Sequence, residues 1–251
     1  MRLRNGVSSR ILKDDRPDRQ GESSDIIPPG IIPPPSSFIL HPLSFILIFM
    51  RLGIFGGTFD PVHYGHLLLA ECCREQCRLD AVWFLPAAVP PHKQQRELSP
   101  AEARIDMLEL ALAGNEAFSV CRRETARGGV SYTVDTLEQF RGEEPGRELF
   151  FLLGADMFHD LPRWRHPERI CELAVPVAVR RSGEPALSFE VFSGVVAAER
   201  IEAMRAQQVE MPEIGISASD IRRRVAAGRS IRYLVPRAVE KYIETHGLYQ
   251  L

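Results

Sequence analysis

The chain has 251 residues, 45% of them hydrophobic, and a formal net charge of −2. That length and apolar content are enough for one large α/β core with an extension, and the slightly acidic balance argues against a general nucleic-acid binder. Cys72, Cys73, Cys77, Cys121 and Cys171 are odd in number and unevenly spread, which suits a reducing cytoplasm better than a disulfide framework.

Residues 1–49 do not read like the remainder. The first 25 are polar and charged, and Pro28-Pro29-Gly30 and Pro33-Pro34-Pro35 disfavour both helix and sheet. The apolar run from Phe38 to Phe49 is interrupted by His41-Pro42 and is too short to span a bilayer. A secretory signal would set its basic region directly before the apolar run and a small-residue cleavage site after it; here prolines intervene. The expectation is a disordered extension over 1–49 and one domain over 50–251, with a membrane tether as the rival reading.

Arg51 to Phe55 reads as a buried central strand. It leads into Gly56-Gly57-Thr58-Phe59-Asp60-Pro61-Val62-His63-Tyr64-Gly65-His66, where a helical pattern starts. Two glycines let backbone amides approach a ligand closely. A helix opening there offers free N–H groups and a positive dipole end, which suits a phosphate. His63 and His66, three apart, share one face of the first turn. Gly65 leaves room for a planar group such as a nucleobase. Paired histidines can also hold a metal, but no Glu-x-x-His or third ligand stands nearby. The stretch therefore reads as a nucleotide site without a protein metal site.

This motif resembles the signature of the nucleotidylyltransferase superfamily, and most resembles the bacterial nicotinate-nucleotide adenylyltransferases. The resemblance implies AMP transfer from ATP to nicotinate mononucleotide, with Mg²⁺ accompanying ATP and no nucleic acid or membrane partner. It also implies a cytoplasmic protein, with homo-oligomerisation left open. Family chains begin near the first strand, so Met50 is the expected natural start.

Tyr64 to Arg78 reads as a helix with Leu67, Leu68 and Cys72 inward, and Ala81 to Pro86 as a second strand buried on both faces. The unit is a right-handed βαβ crossover, and the fold class expected is α/β, a Rossmann-like doubly wound parallel sheet with helices on both faces. In the loop that follows, Pro90-Pro91-His92-Lys93 resembles a family triphosphate contact, which makes Lys93 a candidate. Ser99-Pro100-Ala101-Glu102 reads as the capped start of a helix to Leu112. A third strand follows at 118–121. Ser131-Tyr132-Thr133 then open a helix through Phe140, and the resemblance sets Tyr132 and Thr133 against the pyridine ring. Ser131 also reads as a plain N-cap.

A fourth strand, 148–153, ends in Gly154-Ala155-Asp156, where Gly154 permits close approach and Asp156 can accept from a ribose hydroxyl or an amine. The resemblance gives Trp164 a stacking role on the pyridine and Arg181, after a fifth strand at 174–179, an anion contact on the mononucleotide. Residues 183–206 read as mostly helical, and 209–214 as a last strand. Ser217 with Asp220 makes a good N-cap pair. Ile216-Ser217-Ala218-Ser219-Asp220-Ile221-Arg222 resembles the superfamily's second phosphate motif, with Ser219 where threonine is frequent. The implied roles are catalysis by His63, His66, Arg222 and Lys93, and ATP binding by Gly56, Gly57, Thr58, Phe59, Gly65, Gly154, Asp156, Ser217 and Ser219. Rival readings are transfer to nicotinamide mononucleotide or another small phosphate, and a tethered nucleotide-binding module without catalysis.

Overall fold

The computed structural model describes residues 51–91, 98–143 and 145–250. Its six strands are β1 (Arg51–Gly57), β2 (Ala81–Pro86), β3 (Phe118–Val120), β4 (Glu148–Gly154), β5 (Val175–Arg181) and β6 (Val209–Met211). They form one sheet in the order β3-β2-β1-β4-β5-β6, parallel throughout. β1 and β4 are neighbours, so the winding reverses between them. A crevice opens at such a switch, outside the carboxyl ends of the strands.

The helices among the described residues are α1 (Tyr64–Gln76), α2 (Ala101–Leu112), α3 (Arg123–Arg127), α4 (Thr133–Glu143), α5 (Ala155–Asp160), α6 (Pro167–Leu173), α7 (Ala198–Arg205), α8 (Ala218–Ala226) and α9 (Arg237–Thr245). Successive strand residues point to opposite faces. In β4, Phe150 and Leu152 join a buried cluster with residues of α1, α2, α8 and α9. Leu149, Phe151 and Leu153 join a second cluster with residues of α4, α5, α6 and α7. Two helical layers thus cover one sheet, as the apolar strands require.

Several elements differ from expectation for identifiable reasons. β1 continues past Phe55 because Gly56 and Gly57 still pair with Leu85 and Pro86 of β2. Helix α1 buries Ala70 and Cys73, with Cys77 just beyond its end, whereas Leu67, Leu68 and Cys72 are only partly buried. Small residues along that row bring the helix close to the sheet. Ser99 does not cap α2, which begins at Ala101 without a side-chain cap. Its carbonyl accepts from Arg104 Nε at 3.1 Å and its N–H donates to Asp60 Oδ2 at 3.4 Å. The short helix α3 was not anticipated. Within 183–206 only Ala198–Arg205 is α-helical, and Gly183 and Gly194 at positive φ interrupt the rest. β6 ends at Met211 rather than Ile214, where its pairing with Arg181 of β5 stops.

No helix among the described residues is long and apolar enough to cross a membrane. All five cysteines are free, and burial pushes the thiols of Cys77 and Cys171 up to about 11 and about 12, leaving both inert. Residues 1–49 and Lys93 lie outside the described residues.

Candidate active site

The turn after β1 is built by packing as much as by glycine. A Cβ on Gly57 would meet the Phe59 ring at 2.9 Å. Phe59 itself has φ of 49°, the left-handed region that a bulky residue seldom adopts. Its ring is buried edge-on against Phe55 at 5.4 Å and His66 at 5.0 Å. The aromatic side chain therefore anchors the turn to the core, and Phe59 lines neither of the two cavities described below.

His63 is the N-cap of α1 and His66 lies in its first turn. Their rings stack with centroids 3.7 Å apart. The His63 backbone N–H donates to His66 Nδ1 at 3.3 Å, which assigns the proton of a neutral His66 to Nε2. Gly65 does leave room, but for a neighbour: a Cβ there would meet His63 Nδ1 at 3.0 Å. His63 is 6% exposed, and burial pushes its imidazole down to about 4. At neutral pH it is an uncharged donor rather than a cation.

That shift has a stability consequence. Above the unfolded value near 6.5 both states hold His63 neutral. As pH falls from 6.5 to about 4, only the unfolded chain takes up this proton, so stability is lost over that window. Between pH 7 and pH 5 this component amounts to about 2 kcal/mol. Chemical denaturation of wild type and His63→Gln at both pH values checks it: the variant should lose less stability by that amount, and parallel losses would refute the assignment.

The second motif expected to bind phosphate is the start of α8. Ser217 caps it as expected, its Oγ accepting from the Asp220 N–H at 3.2 Å. The Arg222 guanidinium donates to the Asp60 carbonyl and, at 3.1 Å, to Ser219 Oγ. Thus the two motifs are tied by a direct bond between positions 162 residues apart. They wall a cavity of about 390 Å³ lined by His63, Gly65, His66, Gly154, Asp156, Ser217, Ser219 and Arg222. Arg181, expected on the mononucleotide, lines this first cavity and pairs with Glu184 at 3.3 Å.

A second cavity of about 660 Å³ is lined by Gly56, Gly57, Tyr132, Thr133 and Trp164. The two glycines, expected at ATP, thus face this side. Trp164 is half-buried, donates from Nε1 to Asp160 Oδ2 at 3.4 Å, and meets Phe151 edge-on at 5.9 Å. The Arg165 guanidinium lies 4.6 Å from the Tyr132 ring centre. Ser131 does not cap α4; its Oγ accepts from the Ala88 N–H at 3.0 Å and holds the loop after β2.

Sequence reading missed three contributors. Glu124 is a buried carboxylate of the second cavity, bonded by Thr136 Oγ1 at 2.9 Å, and burial raises its carboxyl above the usual range. Nothing in its local pattern announces burial. Met157 is 45% exposed and, with Thr58, lines both cavities. The cavities therefore adjoin at Thr58 and Met157. Arg104, which is 1% exposed, holds the Thr58 carbonyl at 2.9 Å from α2, where an amphipathic pattern would place a solvated charge.

A parallel sheet with its crevice at the winding switch, two helix starts facing one cavity and an aromatic-lined cavity beside it define a nucleotide-binding α/β protein. The cytidylyltransferase-like family model matches residues 54–224. A Thermomicrobium roseum protein named "Probable nicotinate-nucleotide adenylyltransferase" is 50% identical over 200 residues, covering 80% of this chain and 92% of that one. A Thermus thermophilus protein of the same name is 48% identical over 203 residues, covering 80% of this chain and all of the other. Among solved structures, the Plasmodium falciparum nicotinic acid mononucleotide adenylyltransferase complexed with NaAD superposes with a TM-score of 0.63 at 16% identity, over 79% of this chain and 97% of that one. The chain belongs to the cytidylyltransferase-like family, among its nicotinate-nucleotide adenylyltransferases.

Proposed function

We propose that this chain transfers the adenylyl group of ATP to nicotinate mononucleotide, giving deamido-NAD and pyrophosphate. The observation that carries the reading is the meeting of two unlike cavities at Thr58 and Met157. One offers imidazoles, a guanidinium and a helix start for phosphates. The other offers Tyr132 and Trp164 for a pyridine ring.

In this reading a phosphate oxygen of the mononucleotide attacks the α-phosphorus of ATP in line. The new P–O bond forms as the bond to the bridging oxygen of the β-phosphate breaks, and pyrophosphate leaves with that electron pair. Positioning and charge stabilisation supply the rate enhancement, and no covalent enzyme intermediate is needed. His66 Nε2–H and neutral His63 donate to the non-bridging α-oxygens. Arg222, Ser219 and the α8 start hold the β- and γ-phosphates and the departing pyrophosphate. Arg181 adds positive charge to that cavity, and the family resemblance gives Lys93, which lies outside the described residues, a triphosphate contact. Gly56 and Gly57 let the backbone approach the acceptor phosphate, and Thr133 lies beside the ring.

The first cavity supplies hydroxyls, cations and the carboxylates of Asp156 and Glu184. That set fits a magnesium ion that keeps most of its ligands as phosphate oxygens and water. Bound with ATP, the ion would neutralise phosphate charge.

The test is pyrophosphate release from Mg-ATP by the full chain, with nicotinate and nicotinamide mononucleotides compared at equal concentration. The expected result is release with a marked preference for nicotinate. Preference for nicotinamide would overturn the acceptor assignment, and release with neither would overturn the reaction.

A further inference from the structure

Asp60 lies inside the first motif yet belongs to neither cavity lining. It is 2% exposed, and its two ends do different work. Its carbonyl accepts from Arg222. Its carboxylate accepts from the Tyr249 hydroxyl at 2.6 Å and, through the other oxygen, from the Ser99 N–H at 3.4 Å. Tyr249 is the third residue from the end of the chain. Behind these groups, buried Arg104 spans the Thr58 and Ser99 carbonyls at 2.9 Å and 3.1 Å.

We propose that Tyr249 is a positioning residue for the phosphate cavity, acting through Asp60 on Arg222. A short O–H···O⁻ bond to a buried carboxylate is among the stronger hydrogen bonds available to a protein. Removing its donor leaves a buried carboxylate oxygen unsatisfied. The carboxylate then turns toward its remaining partners, and the Asp60 peptide that carries the Arg222 acceptor turns with it. Geometry supports an arrangement held on purpose: Tyr249 has φ of 64°, left-handed in a residue that seldom adopts it. Gly247 at φ 60° turns the chain back after α9. Burial and the facing Asp60 carboxylate push the Tyr249 phenol up, so it stays a donor throughout the working pH range. Tyr249 thereby supports the phosphate cavity from behind, through Asp60.

The same C-terminal segment supplies a control. Tyr242 Oη donates to Asp106 Oδ2 at 2.8 Å, and neither residue lines either of the two cavities described above. This inference rests on the proposed reaction for its kinetic readout, but Mg-ATP affinity reads it without any acceptor. In the full chain, Tyr249→Phe should weaken Mg-ATP binding by calorimetry about tenfold. The KM for nicotinate mononucleotide should stay within about twofold, because Tyr249, Asp60 and Arg222 do not line the second cavity. Tyr242→Phe should lower the melting temperature comparably and leave Mg-ATP affinity unchanged. In an Arg222→Lys background, Tyr249→Phe should add little, since both act at one point. Folded Tyr249→Phe with wild-type Mg-ATP affinity would overturn the proposal. So would full additivity with Arg222→Lys, or equal affinity losses in Tyr249→Phe and Tyr242→Phe. A wild-type chain that binds Mg-ATP but does not consume nicotinate mononucleotide would overturn the acceptor assignment instead, and the affinity comparison would still decide Tyr249.

Discussion

His66→Ala is expected to lower the rate of pyrophosphate release about 10²–10³-fold, the usual effect of deleting one donor at an oxygen where charge develops. The reason is local. The His63 N–H donates to His66 Nδ1, which sets the proton of a neutral His66 on Nε2, the donor proposed for the α-phosphate. The loss should fall mainly on kcat, because the interaction strengthens as the transition state forms. The fold should survive: the ring gives up edge contacts with Phe59 and Phe55, its stack on His63 and the bond from the His63 N–H, about 2 kcal/mol in all. His66→Gln should recover part of the rate, since its terminal amide can donate from nearly the place of Nε2, and His66→Asn should recover less. Steady-state kinetics of the three variants decides the matter. Near-normal turnover in His66→Ala would remove this residue from the chemistry.

Arg222→Ala should cost a similar factor, about 10²–10³ in kcat/KM for ATP. Here the loss combines positive charge with placement. One arm of the guanidinium is fixed by the Asp60 carbonyl and another by Ser219 Oγ, which leaves the planar group oriented toward the cavity of His63 and Ser217. Lysine keeps the charge but cannot reproduce the fork, so Arg222→Lys should fall between wild type and alanine. The KM for nicotinate mononucleotide should move far less than the KM for ATP in both variants. A change confined to the mononucleotide would show that Arg222 serves the other cavity.

Both expectations rest on residues that a reader of the sequence can find. Gly56-Gly57 after an apolar run, and His63 and His66 at the next helix start, carry their meaning in spacing. So does the Ser217–Asp220 pair, whose capping bond forms as read. Continuous apolar runs in β2 and β4 already imply a sheet covered on both faces, and the two buried clusters have that form. Spacing failed where a backbone group had a stronger tertiary partner. Ser99 has the composition of a cap, but Arg104 and Asp60 take its carbonyl and N–H. Phe59 sits in the motif, but burial of its ring decides its direction.

By itself, then, the sequence determined the parallel α/β class, the two helix starts proposed to bind phosphate and the residue types available to them. Those features are local: a strand, a turn, a cap and a helical face each depend on residues within a few positions of one another. Only the tertiary structure decided that Asp60 would meet Arg222, that Tyr249 would close on Asp60 from the far end of the chain, and that Glu124 and Arg104 would be buried. It also decided that the cavities would adjoin at Thr58 and Met157. Those contacts follow from the strand order β3-β2-β1-β4-β5-β6, which brings distant segments to one sheet edge. No periodicity encodes them, because a period reports the face a residue occupies on its own element and not the group waiting opposite.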